Sequence, residues 1–110
     1  MEQLIHLTKS EEQIMLKLWC LEQGSVKEIL AQFTTPKPAY NTVSTIVRIL
    51  EKKNFIGHQK KGRGYVYFPL VSKNEYAQFL TEHLLNNYYK GSQSSLISSL
   101  NKTKRLDDLL

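Results

Sequence analysis

The chain has 110 residues with 15 Lys+Arg against 10 Asp+Glu, is 41% hydrophobic and 23% charged, and holds a single cysteine. That is the size of one domain with a small appendage, and one cysteine excludes an intramolecular disulfide framework or a cysteine-rich metal cluster. No apolar run approaches the roughly 20 residues of a membrane helix, and the start lacks the basic-then-apolar order of an export signal, so a cytoplasmic chain is expected. At this size about 60–68% of the unfolded surface is buried on folding, so a second copy would add stability. Between residues 36 and 64, Lys37, Arg48, Lys52, Lys53, Lys60, Lys61 and Arg63 face Glu51 alone, a local +6 that leaves the remainder of the chain at −1. Clustered positive charge of this kind attracts polyanions.

Thr8 and Glu11 stand in capping-box spacing, where hydroxyl and carboxylate each satisfy a backbone N–H at a helix start. The helix that follows carries Ile14, Leu18 and Leu21 as an apolar stripe flanked by Met15 and Trp19, with Trp19 expected in the core. Gly24 supplies a left-handed residue to stop it. Ser25 and Glu28 repeat the box, and Val26, Ile29, Leu30 and Phe33 form the narrow apolar face of a second helix of about two and a half turns. Thr34-Thr35-Pro36-Lys37-Pro38 ends that helix, since proline disfavours helical backbone before it and lacks the N–H a helix needs.

The spacing predicts a third helix from Ala39 to about Lys53, with Val43, Ile46, Val47 and Leu50 inward and Ile49 beside them. Its opposite face carries Tyr40, Asn41, Ser44, Thr45, Arg48 and Lys52 and no acid before Glu51, unlike the Glu/Lys mixture of a merely solvated face. Asn54 is expected to cap it. Phe55 to Lys60 and Tyr65 to Phe68 then read as two strands around the turn Lys61-Gly62-Arg63-Gly64. Val66, Phe68 and Leu70 are expected in the core and Tyr65 and Tyr67 on the other face. A third capping box, Ser72 and Glu75, opens a helix to about Tyr89 with Tyr76, Phe79, Leu80, His83, Leu84, Asn87 and Tyr88 along one stripe. Gly91 and Ser92 break it, and Leu96, Ile97 and Leu100 mark a further turn or two.

The fold class expected is mainly α with a small β-hairpin: a winged helix-turn-helix DNA-binding domain at residues 1–71 followed by C-terminal dimerisation helices at 72–110. In that arrangement the third helix enters the major groove of double-stranded DNA and the hairpin lies on the neighbouring backbone. Asn41, Ser44, Thr45 and Arg48 are the candidates for base edges, Asn matching adenine, Arg guanine and the Thr methyl thymine. Tyr40 and Thr42 would bond phosphate at the helix start, with Lys52 further along. Lys60, Lys61, Gly62 and Arg63 form the wing, whose cations give affinity that falls with salt and carries little sequence information. A winged helix that docks on an acidic protein is the alternative these elements leave open. Catalysis is not expected, because His6, His58 and His83 lie on separate segments with no metal-binding helix motif, paired carboxylates or phosphate-cradling loop.

Leu7-Thr8 with Glu11, Ile14-Met15 and Trp19, then Asn41-Thr42-Val43 with Leu50-Glu51-Lys52-Lys53, then Gly62-Arg63, Tyr65, Tyr67 and Pro69-Leu70-Val71 resemble the penicillinase repressor family, which includes the methicillin-resistance and copper-operon repressors. The resemblance implies a homodimeric transcriptional repressor on a palindromic operator, with Tyr76, Phe79, Leu80, His83, Leu84, Tyr88, Leu96, Ile97 and Leu100 placed for dimerisation. Two-fold protein symmetry then places two recognition helices about 34 Å apart on one face of the DNA. It also implies relief of repression through a membrane sensor metalloprotease system, with cleavage near Ser99 and Leu100, Ser99 standing where Asn is usual. A cut there would remove Leu100, Leu106, Leu109 and Leu110 from a small interface. The copper-responsive branch carries a Cys-rich C-terminal metal motif that this chain lacks. Cys20 is expected as a small buried hydrophobe, and neither a metal nor another cofactor is expected.

Overall fold

Thr8, Ser25 and Ser72 each open a helix in the way their spacing to Glu11, Glu28 and Glu75 predicts. In the computed structural model, which describes residues 4–103, each hydroxyl accepts the N–H three residues on and each carboxylate accepts the N–H of its cap residue, at 2.9–3.2 Å. The elements run α1 (Lys9–Leu21), α2 (Val26–Ala31), α3 (Tyr40–Lys52), β1 (Ile56–Lys61), β2 (Gly64–Pro69), α4 (Lys73–Tyr88) and α5 (Gln93–Lys102). They divide into two compact units, Met1–Tyr76 and Ala77–Leu110. The boundary between them falls within α4, whose first turn belongs to the first unit. No helix among the described residues is long and apolar enough to cross a membrane.

In the first unit α1, α2 and α3 pack on one another. Ile14, Met15 and Leu18 of α1, Val26 and Ile29 of α2, and Val43, Val47 and Leu50 of α3 are buried, the one-sided set that helical periodicity requires. Phe55, Ile56 and Val71 extend this core to the hairpin. The end of α3 is a Schellman motif: Asn54 has φ +64, its N–H donates to the Glu51 carbonyl and the Phe55 N–H to that of Leu50, bringing two buried apolar side chains together at the stop. The strands pair antiparallel from Ile56↔Pro69 to Lys61↔Gly64. Gly62, at φ +63, takes the first position of the two-residue loop, where glycine removes the steric cost of a II′-type turn.

Several expectations are corrected. The left-handed residue after α1 is Glu22, at φ +71, not Gly24. Gly24 is instead buried and exchanges two backbone hydrogen bonds with Tyr67, at 2.8 and 2.9 Å, as a one-residue third strand. Helix α2 stops at Ala31, short of Phe33. Leu70 is 53% exposed, and Val66 and Phe68 are only half-buried, because the core beneath the hairpin is filled by Phe55, Ile56 and Val71. Cys20 lies exposed on α1, on the side away from Ile14 and Leu18. Trp19 is half-buried and donates its indole N–H to the Val71 carbonyl at 2.9 Å, so it fastens the chain entering α4. Tyr76 does not join an open stripe. It is 3% exposed, its hydroxyl accepts the Leu7 N–H at 2.9 Å, and its ring meets Trp19 and Phe55 with centroids 6.1 and 5.8 Å away.

In the second unit, the Tyr89 hydroxyl donates to Ser99 Oγ at 2.7 Å and ties the end of α4 to α5. Ser92 caps α5 by accepting the Ser95 N–H. Phe79, Leu80, His83 and Leu96 are half-buried, whereas Leu84, Tyr88, Ile97 and Leu100 are exposed, Tyr88 to 71% and Leu100 to 59%. Leu106, Leu109 and Leu110 lie outside the described residues.

Candidate nucleic-acid interface

Because Val43, Val47 and Leu50 turn α3 inward, the residues between them must turn out. Tyr40, Asn41, Thr42, Thr45, Arg48 and Lys52 are exposed, and Ser44 is half-buried. The Thr45 hydroxyl donates to the Asn41 carbonyl at 2.8 Å, so its methyl and its acceptor lone pairs are what it offers outward. Thr42 lies over the side of α3 that faces Ile14, Phe33 and Pro36, with which it lines a groove of about 350 Å³. Lys60, Lys61, Gly62 and Arg63 are exposed at the hairpin tip, and the register sets Lys60 and Lys61 on opposite faces of it.

The expected count of charge needs adjustment. The Lys53 ammonium is held 2.6 Å from Glu11 Oε2, on α1, so its charge is offset there and adds little to the basic surface. Burial raises the pKa of Glu11, yet the hydrogen bonds from Lys53 and Thr8 and the Lys53 charge outweigh it and hold the carboxyl below its ordinary value.

A cleft between α3 and the hairpin was not anticipated from the sequence. Tyr40, Arg48 and Glu51 line one side and His58, Tyr65 and Tyr67 the other. His58 Nδ1 meets Glu51 Oε2, and the His58 ring lies edge-on to Tyr65 at 5.0 Å and tilted to Tyr67 at 6.0 Å. Burial, with Glu51 second, pushes the Tyr67 phenol above its ordinary value. The signal for this cluster was the strand period: once His58 is opposite Tyr67 and Lys60 opposite Tyr65, all four share one face. Within the described residues, no group of three or more His, Cys, Asp and Glu side chains is gathered to hold a metal ion.

Three helices with a cationic hairpin after the third are the elements of a winged helix. Residues 7–109 match the family described as penicillinase repressor. The chain belongs to the penicillinase repressor family. Its relatives include the penicillinase repressor of Bacillus licheniformis, 24% identical over 98 residues that cover 88% of this chain and 77% of that protein. The methicillin resistance regulatory protein MecI of Staphylococcus aureus (strain N315) is 25% identical over 92 residues, covering 83% of this chain and 75% of its own. Among solved structures, the DNA-binding domain of the repressor BlaI superposes with a TM-score of 0.58 at 25% identity, over 69% of this chain and 94% of that one. The monomeric form of Bacillus licheniformis BlaI, solved in complex with the blaP half-operator, superposes with a TM-score of 0.55 at 24% identity, over the same shares. This member of the penicillinase repressor family therefore has the winged-helix fold of a repressor's DNA-binding domain.

Proposed function

We propose that this penicillinase repressor family chain is a homodimeric transcriptional repressor that inserts α3 into the major groove of a palindromic operator and lays its wing on the adjoining backbone. The observation that carries this reading is the outer face of α3. Tyr40, Asn41, Thr45, Arg48 and Lys52 stand exposed together beside a cationic hairpin tip, in a chain whose relatives are repressors. Asn41, Ser44, Thr45 and Arg48 read bases, Tyr40, Thr42 and Lys52 contact backbone, and Lys60, Lys61 and Arg63 neutralise phosphates across the turn at Gly62. A solved relative bound to a half-operator supports DNA as the partner.

Leu84, Tyr88, Ile97 and Leu100 support pairing of two copies through the second unit, since they expose apolar surface on both of its helices. Phe79, Leu80, His83 and Leu96 border that surface, and Tyr76, a core residue, is left out of it. Relief by a membrane sensor metalloprotease system, cutting between Ser99 and Leu100, would shorten α5 and weaken the pairing. Both residues lie inside α5, so the last turns of that helix must open before a protease can reach the bond.

The deciding experiment is titration of duplex DNA from upstream of the chain's own gene, against a random duplex, at two salt concentrations. Tight, sequence-selective binding with a steep salt slope supports the repressor. Equal weak binding to every duplex overturns it in favour of a protein-docking module.

A further inference from the structure

One acid interrupts the basic surface. Glu51 sits in the last turns of α3, one turn from Arg48 and beside Lys52, and a bare carboxylate there repels the phosphates that the surrounding cations attract. His58, from β1, meets that carboxylate through Nδ1. The imidazole is held in place by the edge-on ring of Tyr65 and the tilted ring of Tyr67, the residue directly across the hairpin from it. The two tyrosines thereby restrict the ring while its Nδ1 meets α3. As an imidazolium His58 balances the Glu51 charge, and as an imidazole it still donates a hydrogen bond to it. Arg48 and Tyr40 of α3 and Lys60 of the hairpin are the other charged and titratable groups near the pair.

We infer that His58 is a positioning residue for nucleic-acid binding: it covers Glu51, so that α3 and the wing present a continuous positive face to the phosphate backbone. This rests on the DNA-binding reading above, and it concerns phosphate and not bases, so a random-sequence duplex is the appropriate probe. The measurement is fluorescence anisotropy with such a duplex at about 50 and about 200 mM salt, on the full chain and on the His58→Gln, Glu51→Gln and double variants.

His58→Gln weakens binding about two- to fivefold at the lower salt, the scale of one exposed charge interaction. Adding Glu51→Gln restores binding to near the wild-type level, because the double variant no longer has a charge to cover, and the restoration shrinks at the higher salt. Glu51→Gln alone binds at least as tightly as wild type, and this arm decides even if the His58 variant folds poorly. A double variant as weak as His58→Gln overturns the inference, since His58 would then only hold the hairpin. Weaker binding by Glu51→Gln alone overturns it too. Wild-type protein with no salt-dependent duplex binding overturns the DNA-binding reading itself, an outcome distinct from either.

Discussion

Glu11 does two jobs with one carboxylate, and replacing it with glutamine separates them. Oε1 accepts the Thr8 N–H at 2.9 Å, closing the capping box of α1, while Oε2 accepts from the Lys53 ammonium at 2.6 Å, just beyond the end of α3. Glu11→Gln keeps one acceptor and loses the charge, so either the cap or Lys53 is left facing an amide N–H₂. The Glu11 side chain is 6% exposed and that of Lys53 32%. Hydrogen bonds to charged groups are worth about 1.5–3 kcal/mol, and the partial exposure of Lys53 argues for about 2 kcal/mol here. With a urea dependence of about 1–3 kcal/mol per molar, the unfolding midpoint at pH 7 should fall by about 1 M, measured by circular dichroism at one fixed protein concentration. The pH dependence sharpens the test. The folded-state carboxyl lies below the ordinary 4.5, so its contribution is complete above that value and is lost as pH falls through the folded-state value. Wild type and variant should therefore converge in strong acid. A stability difference that is the same at pH 3 and pH 7 would refute the ion pair as its source.

Further outcomes follow from the interface and the second unit. Arg48→Ala should reduce discrimination between operator and random DNA, and Lys61→Ala should weaken both alike and lower the salt slope by about 1; the opposite pattern in paired titrations removes the division between base and phosphate contacts. Leu84→Asp with Leu100→Asp should convert a dimer to a monomer by sedimentation velocity and weaken full-operator binding by about 100-fold or more, and an unchanged mass would sink the pairing surface. Tyr76→Ala should cost about 3–5 kcal/mol and Tyr76→Phe about 1 kcal/mol, by urea unfolding; equal, small losses would deny Tyr76 its place in the core. Ser98→Ala should stabilise α5 by about 0.5 kcal/mol and slow cleavage about twofold if opening precedes the cut, and faster cleavage in a timed digest would contradict that order.

What the sequence disclosed was what depends on near neighbours in the chain. The three capping boxes, the inward faces of α1 and α3 and the glycine at the hairpin turn are each specified within a few residues and formed as expected, except that Leu21 and Ile46, at the margins of those faces, are only half-buried. The outer face of α3 was legible for the same reason, as the complement of Val43, Val47 and Leu50. The misjudged residues were decided by partners far along the chain. Periodicity marks Tyr76 as apolar-facing but does not reveal that Leu7, Trp19 and Phe55 cover it. Leu70 alternates correctly for the core, yet Phe55 and Val71 already fill that space. Gly24 resembles a helix stop until Tyr67 of β2 is seen bonded to it. Lys53 counts as surface charge until Glu11 claims it, and the His58–Glu51 pair becomes visible only with the hairpin laid beside α3.

The anchoring of Tyr76 bears on what proteolytic relief would leave behind. Leu7, Trp19 and Phe55, which meet that side chain, and the Trp19 to Val71 bond beside it all lie well upstream of Ser99. The amino-terminal product of a cut would keep a complete core and an intact outer face of α3. On the proposed function, such a remnant would be a folded competitor for each half-site. The duration of induction would then be governed by how quickly the cell destroys this fragment, with the cut itself only starting the clock.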